Sequence, residues 1–258
     1  MSVWGNALKR KQGSELPLPW DLGIHPMRGN LMVVMGSPGV GKSLFALNWC
    51  LGIEQPSLLL SLDTDMTTQA ARACGILAGV PQSRVSQQPH AWAQYLDRKN
   101  LLCRMYDLNL NTKELNELVK AEEEYWGVAP GVVVVDNVSN VVSEMGYEAY
   151  RSAFLGLQKV ARLRGVAVVA LHHVKRDSSS GVLSLHSGQY SGEQEAEIVL
   201  GIWRTGSTLK VGVLKNRNGP SDPAGGLSHG LILDHKTLRM KKEELDVIGT
   251  GEAGETAE

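Results

Sequence analysis

The sequence has no apolar run approaching the roughly 20 residues needed to span a bilayer. Its N-terminus carries no signal-peptide pattern, so a soluble, cytoplasmic protein with no membrane partner is expected. Cysteine is scarce: Cys50, Cys74 and Cys103 are widely separated, stand in apolar or helix-like contexts and lack metal-ligand spacing, which argues for buried, reduced thiols. A charge excess is also missing. With 26 Lys and Arg against 27 Asp and Glu, no global positive field advertises a polyanionic partner, and any nucleic-acid contact must be local. What is present is apolar mass: 258 residues, 43% of them hydrophobic, can bury a full core, and the length favours one large domain with extra pieces at its ends.

Residues 1–22 read as an N-terminal arm or linker that docks through Trp4 and Trp20, with a basic cluster at Lys9, Arg10 and Lys11 that is expected to be a solvated face. Residues 23–242 read as the core. Apolar runs at Leu31–Met35, Ser57–Leu62, Leu101–Tyr106, Val132–Val135 and Val166–Leu171 predict strands. Helical patterns from Gly41 or Lys42 to Leu51, Thr67 to Leu77 (capped by Thr67 or Thr68), Asn111 to Trp126 and Tyr150 to Arg164 alternate with them. That alternation predicts an α/β fold with a mostly parallel central sheet flanked by helices. Ile198–Trp203, Leu209–Leu214 and Leu231–Leu233, separated by Gly-containing turns, predict a C-terminal antiparallel extension. Residues 80–100 are polar and Gln-rich and carry no predicted element, and the acidic tail, 243–258, is expected to be disordered.

Gly36-Ser37-Pro38-Gly39-Val40-Gly41-Lys42-Ser43 fits G-x-x-x-x-G-K-[ST] between a predicted strand and a predicted helix, the context that confirms a phosphate-binding P-loop. Its glycines let backbone N–H groups and the helix N-terminus face negative charge. Lys42 is expected to neutralise the β- and γ-phosphates of ATP, and Ser43 to ligate Mg2+. Asp136, ending the four-valine strand, is the expected second Mg2+ holder, through the ion's water shell; its plain alternative is a turn-initiating aspartate. Asp63 and Asp65, at the end of the second strand, are the candidates for orienting the attacking water, and the plain alternative is that they cap the following helix.

Further stretches carry a family resemblance. Gly23 to Leu31 looks like the lead-in of RecA-like proteins, and Ser61-Leu62-Asp63-Thr64-Asp65-Met66 resembles a Ser-Leu-Glu-Met segment of DnaB-family replicative helicases. Glu193 to Leu200 and Lys215-Asn216-Arg217-Asn218-Gly219-Pro220 are similar to later segments of that family, and Ala170 to Lys175 resembles the Leu-His-His segment of short plasmid RepA-type hexameric helicases. The resemblance covers about residues 23–240 and implies a RecA-like P-loop core. It implies that Asp65, followed by Gln69 and Arg72, is the first choice for the catalytic carboxylate, an acid shorter than the family's Glu. It also implies that His173 senses the γ-phosphate, and that Lys215 and Arg217 reach a neighbouring subunit's γ-phosphate.

The loops near 138–149 and 174–190 are expected to face single-stranded DNA, with Lys175 and Arg176 on phosphates and Tyr190 more at home in the core or an interface than on a base. The leading expectation is an ATP-driven helicase in replication, a homo-oligomer of hexameric ring or filament form with replication or recombination proteins as partners. A core-only recombination or annealing ATPase, favoured by Asp63-Thr64-Asp65, and a regulatory ATPase acting on proteins stay open.

Overall fold

The structure, a computed structural model, describes residues 15–99, 101–142, 146–175 and 181–243. In chain order the strands and α-helices are β1 (Leu31–Gly36), α1 (Lys42–Gly52), β2 (Ser57–Ser61), α2 (Met66–Ala78), α3 (Gln82–Gln87), α4 (Pro89–Arg98), β3 (Cys103–Tyr106), α5 (Thr112–Trp126), β4 (Val132–Asp136), α6 (Tyr147–Arg164), β5 (Ala167–His173), β6 (Ile198–Thr205), β7 (Thr208–Asn216), β8 (Ser228–Leu233) and β9 (Met240–Lys242). Among the described residues the strands form one sheet in the order β3-β2-β4-β5-β1-β6-β7-β8-β9. Pairing is parallel from β3 through β6 and antiparallel from β6 through β9. This is the RecA-like α/β architecture.

The central strands are apolar at every position because both sheet faces are covered. Alternate residues serve opposite layers. Met32, Val34, Val132, Val134, Val169 and Leu200 pack with Phe45, Ala46 and Trp49 of α1, whereas Leu31, Val33, Val133, Val135 and Val168 pack with Leu115 and Val119 of α5 and Phe154 and Leu157 of α6. Phe45 is wholly buried and stacks on Trp20 at 4.9 Å between ring centroids. Phe45→Ala is therefore expected to cost about 3–5 kcal/mol of stability, measured by denaturant unfolding.

Several sequence expectations change here. Asp65, not Thr67 or Thr68, caps α2: its carboxylate accepts from the Thr68 backbone N–H at 2.9 Å and the Thr68 hydroxyl at 2.6 Å. The Gln-rich stretch holds α3 and α4, which periodicity hid because α4 fully buries none of its residues. β5 runs on to His173, so the histidine pair belongs to the strand. β9 is an additional edge strand, tied down where Asn48 of α1 accepts from the Met240 N–H at 3.1 Å. In the described part of the arm, Leu16, Trp20 and Leu22 are buried in the same core as α1, and Trp20 donates to the Met240 carbonyl at 3.1 Å. The core thus takes in chain that precedes residue 23. Trp4, the Lys9–Lys11 cluster, Arg176 and the acidic tail after Glu243 lie outside the described residues.

The cysteines are free and buried, and the Cys50 and Cys103 thiols hydrogen-bond each other. No helix among the described residues is long and apolar enough to cross a membrane.

Candidate nucleotide site

The C-terminal ends of β1, β2, β4 and β5 converge on one cleft of about 270 Å³, lined among others by Lys42, Ser43, Asp63, Arg72, Asp136 and His173. A larger hollow of about 1080 Å³ sits elsewhere, against Trp20, Asn48 and Lys242, and holds none of these groups. The convergent chemistry identifies the smaller cleft as the site.

The cradle's geometry requires its glycines. A Cβ on Gly36 would stand 2.7 Å from the Ile202 carbonyl oxygen, and Gly41 holds a φ of 119° that side-chain-bearing residues rarely adopt. Gly41 is the N-cap of α1 and offers no side-chain acceptor, so the first N–H groups of the helix stay directed at the loop's concavity, ready for phosphate oxygens. Lys42 Nζ donates to the Gly36 and Ser37 carbonyls at 2.8 and 3.0 Å, which holds the ammonium inside the loop.

Burial lowers the Lys42 pKa from 10.5 to about 8, against the opposing pull of Asp136 and Asp63. The folded chain therefore gives up this proton more readily than the unfolded one. The burial cost is in full force below pH 8 and fades as pH rises toward 10.5. ATP needs the protonated lysine. Affinity for ATP is expected to be flat below about pH 8 and to weaken up to ~10-fold per pH unit above it, measured by titration calorimetry. Lys42→Arg, always charged, is expected to flatten that profile.

Asp136 is buried to 3% exposure and burial raises its pKa, while a hydrogen bond from Ser43 opposes the rise. Its Oδ2 has no hydrogen-bond partner among the described residues. A buried hydroxyl–carboxylate pair with a spare oxygen, at the mouth of a phosphate loop, is a donor set that fits hard, oxygen-loving Mg2+. Among the described residues no cluster of three or more His, Cys, Asp or Glu is placed to hold a metal by itself.

The two candidate carboxylates separate. Asp65 is exposed and engaged as the α2 cap, whereas Asp63 lines the cleft. Asp63 accepts from the Asn137 amide and, at 2.7 Å, from Asn140 Nδ2. Asn137 Oδ1 accepts the Ser139 N–H at 2.8 Å, which aims the Asn137 NH2 group at Asp63 and at His173 Nε2, 3.0 Å away. Since that NH2 donates, His173 Nε2 accepts and the ring proton sits on Nδ1, which is buried and has no partner among the described residues. Burial, with Lys42 nearby, lowers the His173 pKa. His173 is thus a neutral ring linked through Asn137 to Asp63. His172, pushed down to about 4 by burial, faces the other way, contacting the Gln189 carbonyl and lying edge-on to Phe154. Asn137 and Asn140 were not singled out in the sequence; their position directly after Asp136 is the signal that points to them.

The remaining sites lie elsewhere. Lys175 stands at the base of its loop, with its N–H on the Ser187 carbonyl and Nζ on the His186 carbonyl at 3.1 Å, and Tyr190 stacks on Tyr150 at 4.7 Å. Lys215 and Arg217 follow β7 to the opposite end of the sheet. Asn216 pairs with Ile198, which pairs with Met32, whereas Gly36 of the cradle pairs with Ile202 at the other end of β6. That span is on the order of 13 Å along the strands. The chain's own cradle is therefore beyond the reach of its own Arg217.

A family model described as "AAA domain" matches residues 11–179. The gene 65 protein of Mycobacterium phage L5 is 29% identical over 240 residues, covering 84% of this chain and 89% of that protein. The gene 65 protein of phage D29 is 30% identical over 212 residues, covering 76% and 91%. Among solved structures, the isolated ATPase domain of a DnaB-like helicase superposes with a TM-score of 0.72 at 17% identity, covering 84% of this chain and 86% of that one. A DnaB-like replicative helicase, solved with attention to its interactions with primase, gives a TM-score of 0.69 at 17% identity, covering 83% of this chain and 57% of that one. At these identities the structures speak to the fold, which is that of a DnaB-like helicase ATPase domain.

Proposed function

The chain belongs to the AAA-domain family, and from that premise we propose that it is an ATP-hydrolysing motor on single-stranded DNA, of replicative-helicase type, with each site completed by a second copy of the chain. The observation that carries this reading is the separation of the cradle from Arg217 at opposite ends of one sheet. Each chain has a nucleotide site lacking an arginine finger and an arginine lacking a site of its own. Head-to-tail copies satisfy both, and such contacts close into rings or run on as filaments.

Within the site the roles follow from placement. Lys42 and the N–H groups of the loop hold the triphosphate. Mg2+, when bound at Ser43 and Asp136, supplies charge neutralisation of the phosphate oxygens. Asp63, held by Asn137 and Asn140, orients a water and accepts its proton as the water oxygen attacks the γ-phosphorus and the bond to the β–γ bridging oxygen breaks, giving ADP and phosphate. The fork of Arg217 from the second copy stabilises the charge that develops on the transferred group. His173 lies one residue before Val174, which is bridged to Gly188 at the base of the loop carrying Lys175. Loss of the γ-phosphate is thereby felt at the DNA-facing loop, and Lys175 and Arg176 meet the strand's phosphates without reading bases.

A forked-DNA displacement assay tests the reading. Directional unwinding that stops when ATP is replaced by a non-hydrolysable analogue is the expected result. ATP-dependent coating or annealing of single strands without unwinding would instead favour the recombination-type role, which Asp63-Thr64-Asp65 also fits, and turnover indifferent to every DNA form would favour a protein-directed ATPase.

A further inference from the structure

Glu197 is a carboxylate at 7% exposure with an unusual set of obligations. Oε2 accepts the Leu31 N–H at 2.9 Å, and Oε1 accepts from Gln158 Nε2 at 3.1 Å and from Arg162 at 3.0 Å. The same Oε1 stands 4.0 Å from the Arg217 guanidinium. Its backbone is engaged as well, since the Glu197 N–H donates to the Leu31 carbonyl and the Arg217 N–H donates to the Glu197 carbonyl, each at 2.9 Å. The Arg217 guanidinium also reaches the Gln194 carbonyl at 3.4 Å. Both arginines around this one buried charge are exposed, Arg217 at 50% and Arg162 at 59% of their side chains.

We propose that Glu197 is the positioning residue of the trans finger: rooted in the first residue of β1 and in α6, it fixes both the backbone and the guanidinium of Arg217 on the face presented to the next copy. This rests on the reading that Arg217 acts on a neighbour's ATP. A long arginine on a turn loses much rotamer freedom on docking, and a fixed anion behind it removes part of that cost beforehand. Sharing Glu197 with Arg162 also matters. When Arg217 swings onto phosphate, Arg162 keeps the buried carboxylate neutralised, so engagement leaves no unpaired buried charge behind. A purely structural carboxylate would serve the Leu31 N–H and Gln158 equally well without any tie to a neighbour's chemistry.

The test is complementation between dead subunits of the full chain. Glu197→Gln keeps the size and removes the charge, and its kcat is expected to fall about 10- to 100-fold with KM for ATP unchanged. Lys42→Ala has no working cradle but an intact finger. Mixed one to one, the two are expected to regain turnover, because at about one head-to-tail interface in four a sound cradle meets a sound finger. Arg217→Ala mixed with Lys42→Ala is the control. If the control regains turnover and the Glu197→Gln mixture does not, the Glu197 defect lies within its own subunit and the proposal is overturned. Full turnover by Glu197→Gln alone overturns it too. If the control itself stays dead, the trans-finger reading fails, and this proposal with it. Should Glu197→Gln not fold or assemble, Glu197→Asp, which keeps the charge but withdraws it by about one methylene, takes its place, with a partial loss restored by Lys42→Ala expected and wild-type turnover contradicting the proposal.

Discussion

Arg217→Ala is expected to bind ATP as the wild type does and to hydrolyse it about 10³-fold more slowly, the lower end of what an arginine finger contributes. Binding is spared because the chain's own cradle, with Lys42 on the Gly36 and Ser37 carbonyls, is at the other end of the sheet from residue 217. Hydrolysis suffers because charge spreads over the transferring phosphoryl oxygens only in the transition state, where a planar fork makes paired hydrogen bonds that a point charge does not. Arg217→Lys is accordingly expected to recover little. Binding is read by fluorescent-nucleotide titration and turnover by phosphate release. A variant that keeps wild-type turnover would remove the finger from the mechanism.

Asp63→Asn and Asp65→Asn are expected to behave in opposite ways. An amide in place of the Asp63 carboxylate keeps the size of the side chain but accepts no proton, and its own NH2 would face those of Asn137 and Asn140; turnover should fall about 10²- to 10⁴-fold, the range for a lost general base. Asparagine is as good an N-cap as aspartate, so at position 65 the swap should leave turnover and fold intact. Asp65→Ala removes the Thr68 contacts and should lower the melting temperature while sparing turnover. The reverse pattern, with Asp65→Asn dead and Asp63→Asn active, would return the catalytic role to Asp65.

The fold was legible because its signals are local. Four consecutive valines name a strand covered on both faces, and a glycine-rich turn between a strand and a helix fixes which sheet edge holds phosphate. The family resemblance pointed to Asp65 by matching Asp65-Met66 to Glu-Met, yet the backbone turns there, and the residue that opens α2 directs its carboxylate at the helix's own first turn. Position in a motif and direction of a side chain are different quantities, and sequence carries mainly the first. The Asn137 relay was hidden for a related reason: it depends on the Ser139 N–H orienting an amide, a three-residue geometry with no periodicity. α3 and α4 escaped because helices that bury little leave no apolar stripe to read.

If ATP turnover, assembly and single-stranded DNA are coupled through sites shared between copies, one experiment bears on all three. Phosphate release is measured with and without single-stranded DNA while mass is followed by light scattering, on the wild type and Arg217→Ala. Coupling predicts strong DNA stimulation by an oligomer of the wild type and its loss in an Arg217→Ala oligomer of the same mass. Turnover by a monomer, indifferent to DNA and to residue 217, would contradict it.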